Sequence, residues 1–290
     1  MLLQHIFNGI SLGMAYALIA IGYSIVFSVL KMMNFAHGDV YMFGTWVCFG
    51  LLDTFHFPAA IAVLISLVVG AVTAAVVEFV AYRPLRKEEW IFSMITVLGA
   101  GYVLRNISEI IWGSRMRNFP SILPNVNFNI LGATIALSNV IVIVVAIAIL
   151  VGMHYFLQRS KHGQAVTAVS EDVATSSLMG IKVNRVSSLV YALGGAIGVV
   201  GGILFSSLYN VINIGMAFTG TMIAYSAAIV GGFGSLPGAA LGGLIIGIAQ
   251  ELFAGYVSTA YRDVTTYVIL IICLLIRPAG ILGRVEREKV

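Results

Sequence analysis

Charged side chains are nearly missing from this sequence. Lys and Arg number 16 and Asp and Glu 12 among 290 residues, 10% in all, against 60% hydrophobic residues, whereas soluble globular chains carry roughly 25% charge. That supply cannot coat a water-facing surface, which excludes an ordinary soluble domain. The basic residues are spread over separate loops instead of gathered with aromatics on one patch, which excludes a nucleic-acid partner. Cysteine is scarcer still: Cys48 and Cys273 each lie inside an apolar run, where a thiol behaves as a small hydrophobe, so neither a disulfide framework nor a metal site is expected. No G-x-x-x-x-G-K-[ST] phosphate loop and no H-E-x-x-H occurs, and the five histidines are dispersed. The chain therefore hydrolyses no ATP by the phosphate-loop route. No catalytic residue is expected, and a membrane enzyme ranks last among the functions considered.

What the sequence has in abundance is apolar length. A bilayer core of about 30 Å takes about 20 apolar residues as a helix, and such runs fall at 6 to 30, 34 to 54, 58 to 81, 91 to 112, 138 to 157, 187 to 208, 217 to 233, 237 to 254 and 264 to 277. The expectation is an all-α polytopic membrane protein with about eight or nine transmembrane helices, forming one transmembrane domain over 1–290. The first thirty residues lack a basic n-region and a small-residue cleavage site and read as a retained span. Lys31, the loop with Arg83, Arg86 and Lys87, the loop with Arg159, Lys161, Lys182 and Arg185, and the tail with Arg277, Arg284, Arg287 and Lys289 hold twelve of the 16 basic residues. If every run crosses, all four places fall on one side, which the positive-inside rule makes cytoplasmic, the carboxyl terminus included. The stretch 113 to 137, with two prolines and several asparagines, becomes the main external loop and reads as irregular.

The halves resemble each other. VLKMMNFAHGDVYMFGTWVCFGLL follows the first run and LYNVINIGMAFTGTMIAYSAAIVGG the sixth; each leads from an asparagine into glycine-interrupted apolar sequence and then a helix ending near a glutamate, Glu78 or Glu251. Asn34 and Asn213 start from opposite sides, so the repeats would be inverted, with interrupted helices in matching places, as in many transport proteins. Packing of small residues alone gives similar text. Asn34, Phe35, His37, Gly38, Asp39 and Tyr41 thereby become candidates for a substrate pathway. For Asp39 the alternative is capping of a helix that begins with Val40; for His37 it is a hydrogen bond to a neighbouring carbonyl. Arg105 and Glu109, four apart in the fourth run, can face one another, and Glu78 can reach Arg83. Between the fifth and sixth runs, Val166, Val169 and Val173 keep helical spacing, with Ala165, Ala168 and Leu178 on the apolar side, Gly163 before the helix and Gly180 as the residue after it.

Three stretches in order along the chain carry a family resemblance: NFAHG (Asn34 to Gly38), GQAVTAVSEDVATSSLMGI (Gly163 to Ile181) and GGFGSLPGAALGG (Gly231 to Gly243). Together they resemble the permease subunits of branched-chain amino acid ABC transporters, the LivH-type family. The resemblance implies a subunit of the bacterial cytoplasmic membrane that pairs with a second related permease (LivM-like). It implies two ATPase subunits that handle ATP and Mg on the cytoplasmic side, and an external solute-binding protein delivering hydrophobic amino acids. It also implies that 158–186 is a coupling segment, with ATPase docking at Gly163, Ala168, Glu171, Asp172, Leu178 and Gly180. Gln164 and Thr167 stand where family members often carry arginine. The competing function is an ATP-independent secondary transporter or channel using an intramembrane acid such as Asp39. Within the importer class, urea or amides compete with amino acids as cargo, since selectivity resides largely in the binding protein.

Overall fold

The computed structural model describes residues 2–86, 88–124, 126–130 and 133–283. Among these, each of the nine apolar runs contains a helix, as a lipid solvent demands of backbone groups that must be satisfied internally. The order is α1 (Leu2–Leu30), α2 (His37–Asp53), α3 (Ala59–Val77), α4 (Trp90–Trp112), α5 (Leu137–Arg159), α6 (Lys161–Glu171), α7 (Val173–Leu178), α8 (Val183–Tyr209), α9 (Met216–Gly231), α10 (Leu236–Tyr256) and α11 (Val264–Ile276). A π turn, Glu78–Tyr82, and a 3₁₀ turn, Arg83–Leu85, prolong α3. Among the described residues six helices are long and apolar enough to cross a membrane, counting α3 through Leu85; α9 and α11 are shorter apolar helices.

α1 is the axis of the bundle, buried from Ser11 to Val26. It lies close to α10 and α8 because the contacts are made by residues without side chains. A Cβ on Gly13 would meet Leu244 Cα at 2.8 Å, and one on Gly22 would meet the Gly194 carbonyl at 2.5 Å. Association in lipid rests on such close backbone approach. α3, α4, α5 and α11 stand outside and expose apolar side chains, Leu64, Val68, Ile110, Val144 and Leu275 among them; this is the face a bilayer would solvate.

Contacts sort the connections into two ends. At one end Phe27 stacks on Phe233 with ring centroids 4.3 Å apart, Arg83 bonds Ser188 on α8, and the tail residues Ile281 and Leu282 donate backbone N–H groups to the Val230 and Gly231 carbonyls that close α9. Lys31, Arg83, Arg86, Arg159, Lys161, Lys182, Arg185 and Arg277 gather there; Lys87, Arg284, Arg287 and Lys289 lie outside the described residues. At the opposite end the loop expected to be irregular contains short strands. β1 (Arg117–Asn118) pairs antiparallel with β4 (Val211–Ile212), and β2 (Asn127–Ile130) pairs with β3 (Ala133–Ala136), Phe128 opposite Ile135.

The two halves run in opposite directions. α1 ends and α8 begins at the basic end; α2 runs away from it and α9 runs towards it. Each short helix starts from the same device: Asn34 Oδ1 accepts from Ala36 N at 3.2 Å, and Asn213 Oδ1 accepts from Met216 N at 2.9 Å. The inverted relation expected from the sequence is therefore present in the chain path.

Candidate functional site

α2 and α9 are half-helices that start inside the bundle. His37 Nε2 lies 3.0 Å from the Ile19 carbonyl, eleven residues before the end of α1, which at 1.5 Å per residue is about 16 Å from that end. A carbonyl only accepts, so Nε2 carries the proton. This is the satisfied histidine that was one of the two readings. Lys31 to Ala36 thus return into the bundle before the helix begins. In the same way Gly220 of α9 meets Tyr41, and Tyr41 abuts Gly198 and Gly202 of α8, the latter seven residues before the end of α8.

The half-helices cross at their first turns. A Cβ on Gly38 would overlap Thr221 Oγ1 and the Ala217 carbonyl; one on Gly220 would overlap the Tyr41 hydroxyl. Tyr41 Oη donates to the Met216 carbonyl. Asn34, His37, Asp39 and Tyr41 are all buried, while Phe35 is half-buried. These side chains are closed in by protein.

Two expectations for charges need correction. Asp39 does not cap a helix beginning at Val40, because α2 begins at His37 and Ala36 occupies the cap position. Its carboxylate instead takes Arg105 Nε and Nη2, both at 2.9 Å from Oδ1, joining α4 to α2. Arg105 is therefore not the partner of Glu109, which is exposed. Neither charge is stable in lipid alone, so each needed a partner, but helical spacing pointed Arg105 to Glu109 and not to Asp39. Glu78 does reach Arg83, at 2.7 Å.

At the basic end the coupling segment is two helices, not one. Ser160 caps α6 by accepting from Gly163 N at 2.8 Å, so Gly163 lies within the helix instead of before it. It is buried against Leu157, and a Cβ there would meet Leu157 Cα at 2.6 Å. Asp172 ends α6 and caps α7, accepting from Thr175 N at 2.6 Å; that hydrogen bond holds its carboxyl below the ordinary 3.8. Asp-x-x-Thr is a capping pattern that the valine periodicity concealed. Val166 and Val169 are buried in the core that also contains Val26 and Val29 of α1, but Val173 and Leu178, expected on the same apolar side, are exposed, Leu178 by 88% and its neighbour Met179 by 79%. Gly180 takes φ +84° just after the Met179 cap of α7, the place expected for it. Ala168 and Glu171 border two adjoining grooves, one continuing through Gln164 and Thr167 and the other through Asp172, Thr175 and Met179. The segment thus offers a rigidly capped, partly apolar knob beside a concave surface, a form suited to a protein partner.

At the other end a polar cavity of about 430 Å³ lies among Gln4, Asn8, Asn127, Asn139, Asn210 and Glu251. No group of three or more His, Cys, Asp or Glu among the described residues is placed to hold a metal. Gly9 to Gly13 spell G-x-S-x-G, but the stretch is interior to α1 and Ser11 Oγ donates to the Phe7 carbonyl at 2.9 Å; a nucleophile elbow needs a strand-to-helix turn.

Comparison with known proteins gives this architecture its relatives. Residues 5–274 match the family described as branched-chain amino acid transport system, permease component. The chain is 38% identical to the high-affinity branched-chain amino acid transport system permease protein LivH of Escherichia coli (strain K12), over 99% of this chain and 97% of that one. It is 37% identical to the permease protein BraD of Pseudomonas aeruginosa, over 99% and 98%. Among solved structures it shares its fold with a chain of PsaBC from Streptococcus pneumoniae in complex with Fab, at a TM-score of 0.52 and 16% identity, covering 94% of this chain and 91% of that one. The six long apolar helices, the inverted halves and a match over nearly the whole length agree, and the chain belongs to the branched-chain amino acid transport permease family.

Proposed function

We propose that this chain is the membrane-spanning subunit of an ATP-driven importer for branched-chain or other hydrophobic amino acids, folded as one permease domain over 1–290 in a bacterial cytoplasmic membrane. It pairs with a second, related permease, takes solute from an external binding protein, and is driven by two ATPase subunits that bind ATP and Mg. The basic end is the cytoplasmic side, by the excess of Lys and Arg, and the carboxyl terminus belongs to it.

The observation that carries this reading is the α6–α7 segment. Two side-chain caps fix it, Val166 and Val169 anchor it to α1 and α8, and it holds Leu178 and Met179 out in the aqueous phase. Exposed apolar side chains on a rigid support beside a groove mark an interaction site. We assign ATPase docking to the surface built by Ala168, Glu171, Asp172, Leu178 and Gly180, which the buried Gly163 seats against Leu157 of α5. Asn34 to Tyr41 act in the pathway as the crossing of the half-helices, whose closure by Tyr41 and Gly38 against α9 is the state in which this subunit passes no solute. An ion-coupled carrier needs an acid free to bind its ion, whereas Asp39, Glu78 and Glu251 are each paired with an arginine.

The test is co-purification in detergent with the cognate ATPase subunits. Leu178→Asp with Met179→Asp is expected to lower the ATPase recovered about tenfold or more, since central apolar anchors carry about 2 kcal/mol or more of an interface. Both residues are exposed, so the fold should be unaffected. Undiminished recovery would remove the docking assignment.

A further inference from the structure

Glu78 is buried at the basic end, 1% exposed, and both its oxygens are used. Oε1 accepts from Arg83 Nε at 3.2 Å; Oε2 accepts from Arg83 Nη2 at 2.7 Å and from Ser188 Oγ at 2.9 Å. Arg83 Nη2 also donates to Ser188 Oγ at 2.6 Å. The three side chains close a ring between the end of α3 and the first two turns of α8. The local helix is built for it: in an α-helix, at 100° per residue, residues five apart point about 140° away from each other, whereas the widened π turn Glu78–Tyr82 brings Arg83 back over Glu78. Arg86 adds a longer contact to Asn184 at 3.4 Å.

The other half of the chain repeats the arrangement at the opposite end. Glu251, late in α10, takes Arg262 at 3.2 Å and faces His5 in the first turns of α1 at 4.0 Å. Each arginine lies over an aromatic ring, Arg83 over Phe79 and Arg262 over Tyr209. So the third helix of the first half is tied by a glutamate to the first helix of the second, and in the other half Glu251 of α10 only faces α1 at a longer distance.

α8 is the helix that leaves the coupling segment, and its glycines contact the half-helix crossing: Gly198 lies against His37 and Gly202 against Tyr41 and Thr45. We propose that Glu78 and Ser188 are positioning residues for energy coupling, clamping the start of α8 to the π turn so that displacement of α6 and α7 moves α8 as a rigid rod against the half-helices. This rests on the importer reading above.

The experiment uses the complete complex, both permeases, the ATPases and the solute-binding protein, in proteoliposomes, with ATP hydrolysis and leucine uptake measured on the same preparation. Ser188→Ala removes the tie to α8 and leaves the Glu78–Arg83 pair. Hydrolysis is expected to stay within about twofold while uptake falls about fivefold, raising ATP consumed per solute, an effect of the size coupling residues show. Ser188→Thr, which keeps the hydroxyl, restores the ratio. A ratio unchanged in Ser188→Ala, whether both activities persist or fall together, overturns the clamp. Should that variant fail to assemble, Glu78→Gln is read by the same ratio. No ATP-dependent uptake by the unsubstituted complex would defeat the importer reading itself.

Discussion

Gly38→Val will lower solute uptake by the assembled transporter more than tenfold and will reduce the thermal stability of the purified chain in detergent. The added Cβ runs into the Ala217 carbonyl and Thr221 Oγ1, and a backbone carbonyl held in α9 cannot rotate aside. Overpacking a tight core typically costs about 1–3 kcal/mol; here the obstruction is main chain on a buried helix, so the upper end applies, and the half-helices must separate at their crossing. Gly220→Ala should also lower uptake, because its Cβ overlaps the hydroxyl and ring of Tyr41, which is buried against Gly198 and Gly202 and would in addition lose a hydrogen bond worth about 1 kcal/mol. Gly99, in α4, has nothing within 4 Å of an added Cβ; Gly99→Ala should leave uptake unchanged. Equal tolerance at Gly38 and Gly99, measured by leucine uptake in proteoliposomes, would show that the crossing is looser than described.

Asp39→Ala will destabilise the purified chain in detergent by breaking the ion pair to Arg105. It leaves Arg105 facing an apolar interior without a counter-charge, which for a buried pair costs about 3–5 kcal/mol; Arg105 is 23% exposed against 4% for Asp39, so the lower figure applies. The double variant Asp39→Ala with Arg105→Leu removes both charges and should recover most of that loss, giving a favourable coupling in a double-mutant cycle. Denaturation of the four proteins in the same detergent measures it. Additive losses would mean that the two side chains contribute independently and that α4 is not held to α2 by this contact.

These two effects also mark what the sequence could and could not reveal. Every apolar run became a helix because hydrocarbon leaves the backbone no other partner, so Leu137–Arg159 could be read from composition alone. The inverted halves were legible in the paired Asn34 and Asn213, each of which starts a half-helix with its side-chain amide. Partners across the bundle were not legible: Arg105 sits four residues from Glu109 in sequence, and helical spacing favours that pairing, yet the cost of burying Asp39 alone outweighs it and draws Arg105 across to α2. Asp172 was hidden for a related reason. Val166, Val169 and Val173 keep one periodicity through a position where a capping side chain breaks the helix, which turns Leu178 outward to solvent. The β2–β3 hairpin was missed because prolines and asparagines in 113 to 137 outweighed the short alternation of Asn127–Ile130 and Ala133–Ala136.

The central claim is that movement of solute through this subunit is driven from the α6–α7 surface by ATPases that the chain does not itself contain. Its most direct test places the complete complex in proteoliposomes, with ATP on the side of the basic loops and the loaded binding protein on the other. Labelled leucine is expected to accumulate only with ATP present, and this accumulation to disappear when Leu178 and Met179 are both changed to aspartate. Accumulation of solute by this chain alone, driven by an ion gradient and indifferent to ATP, would contradict it.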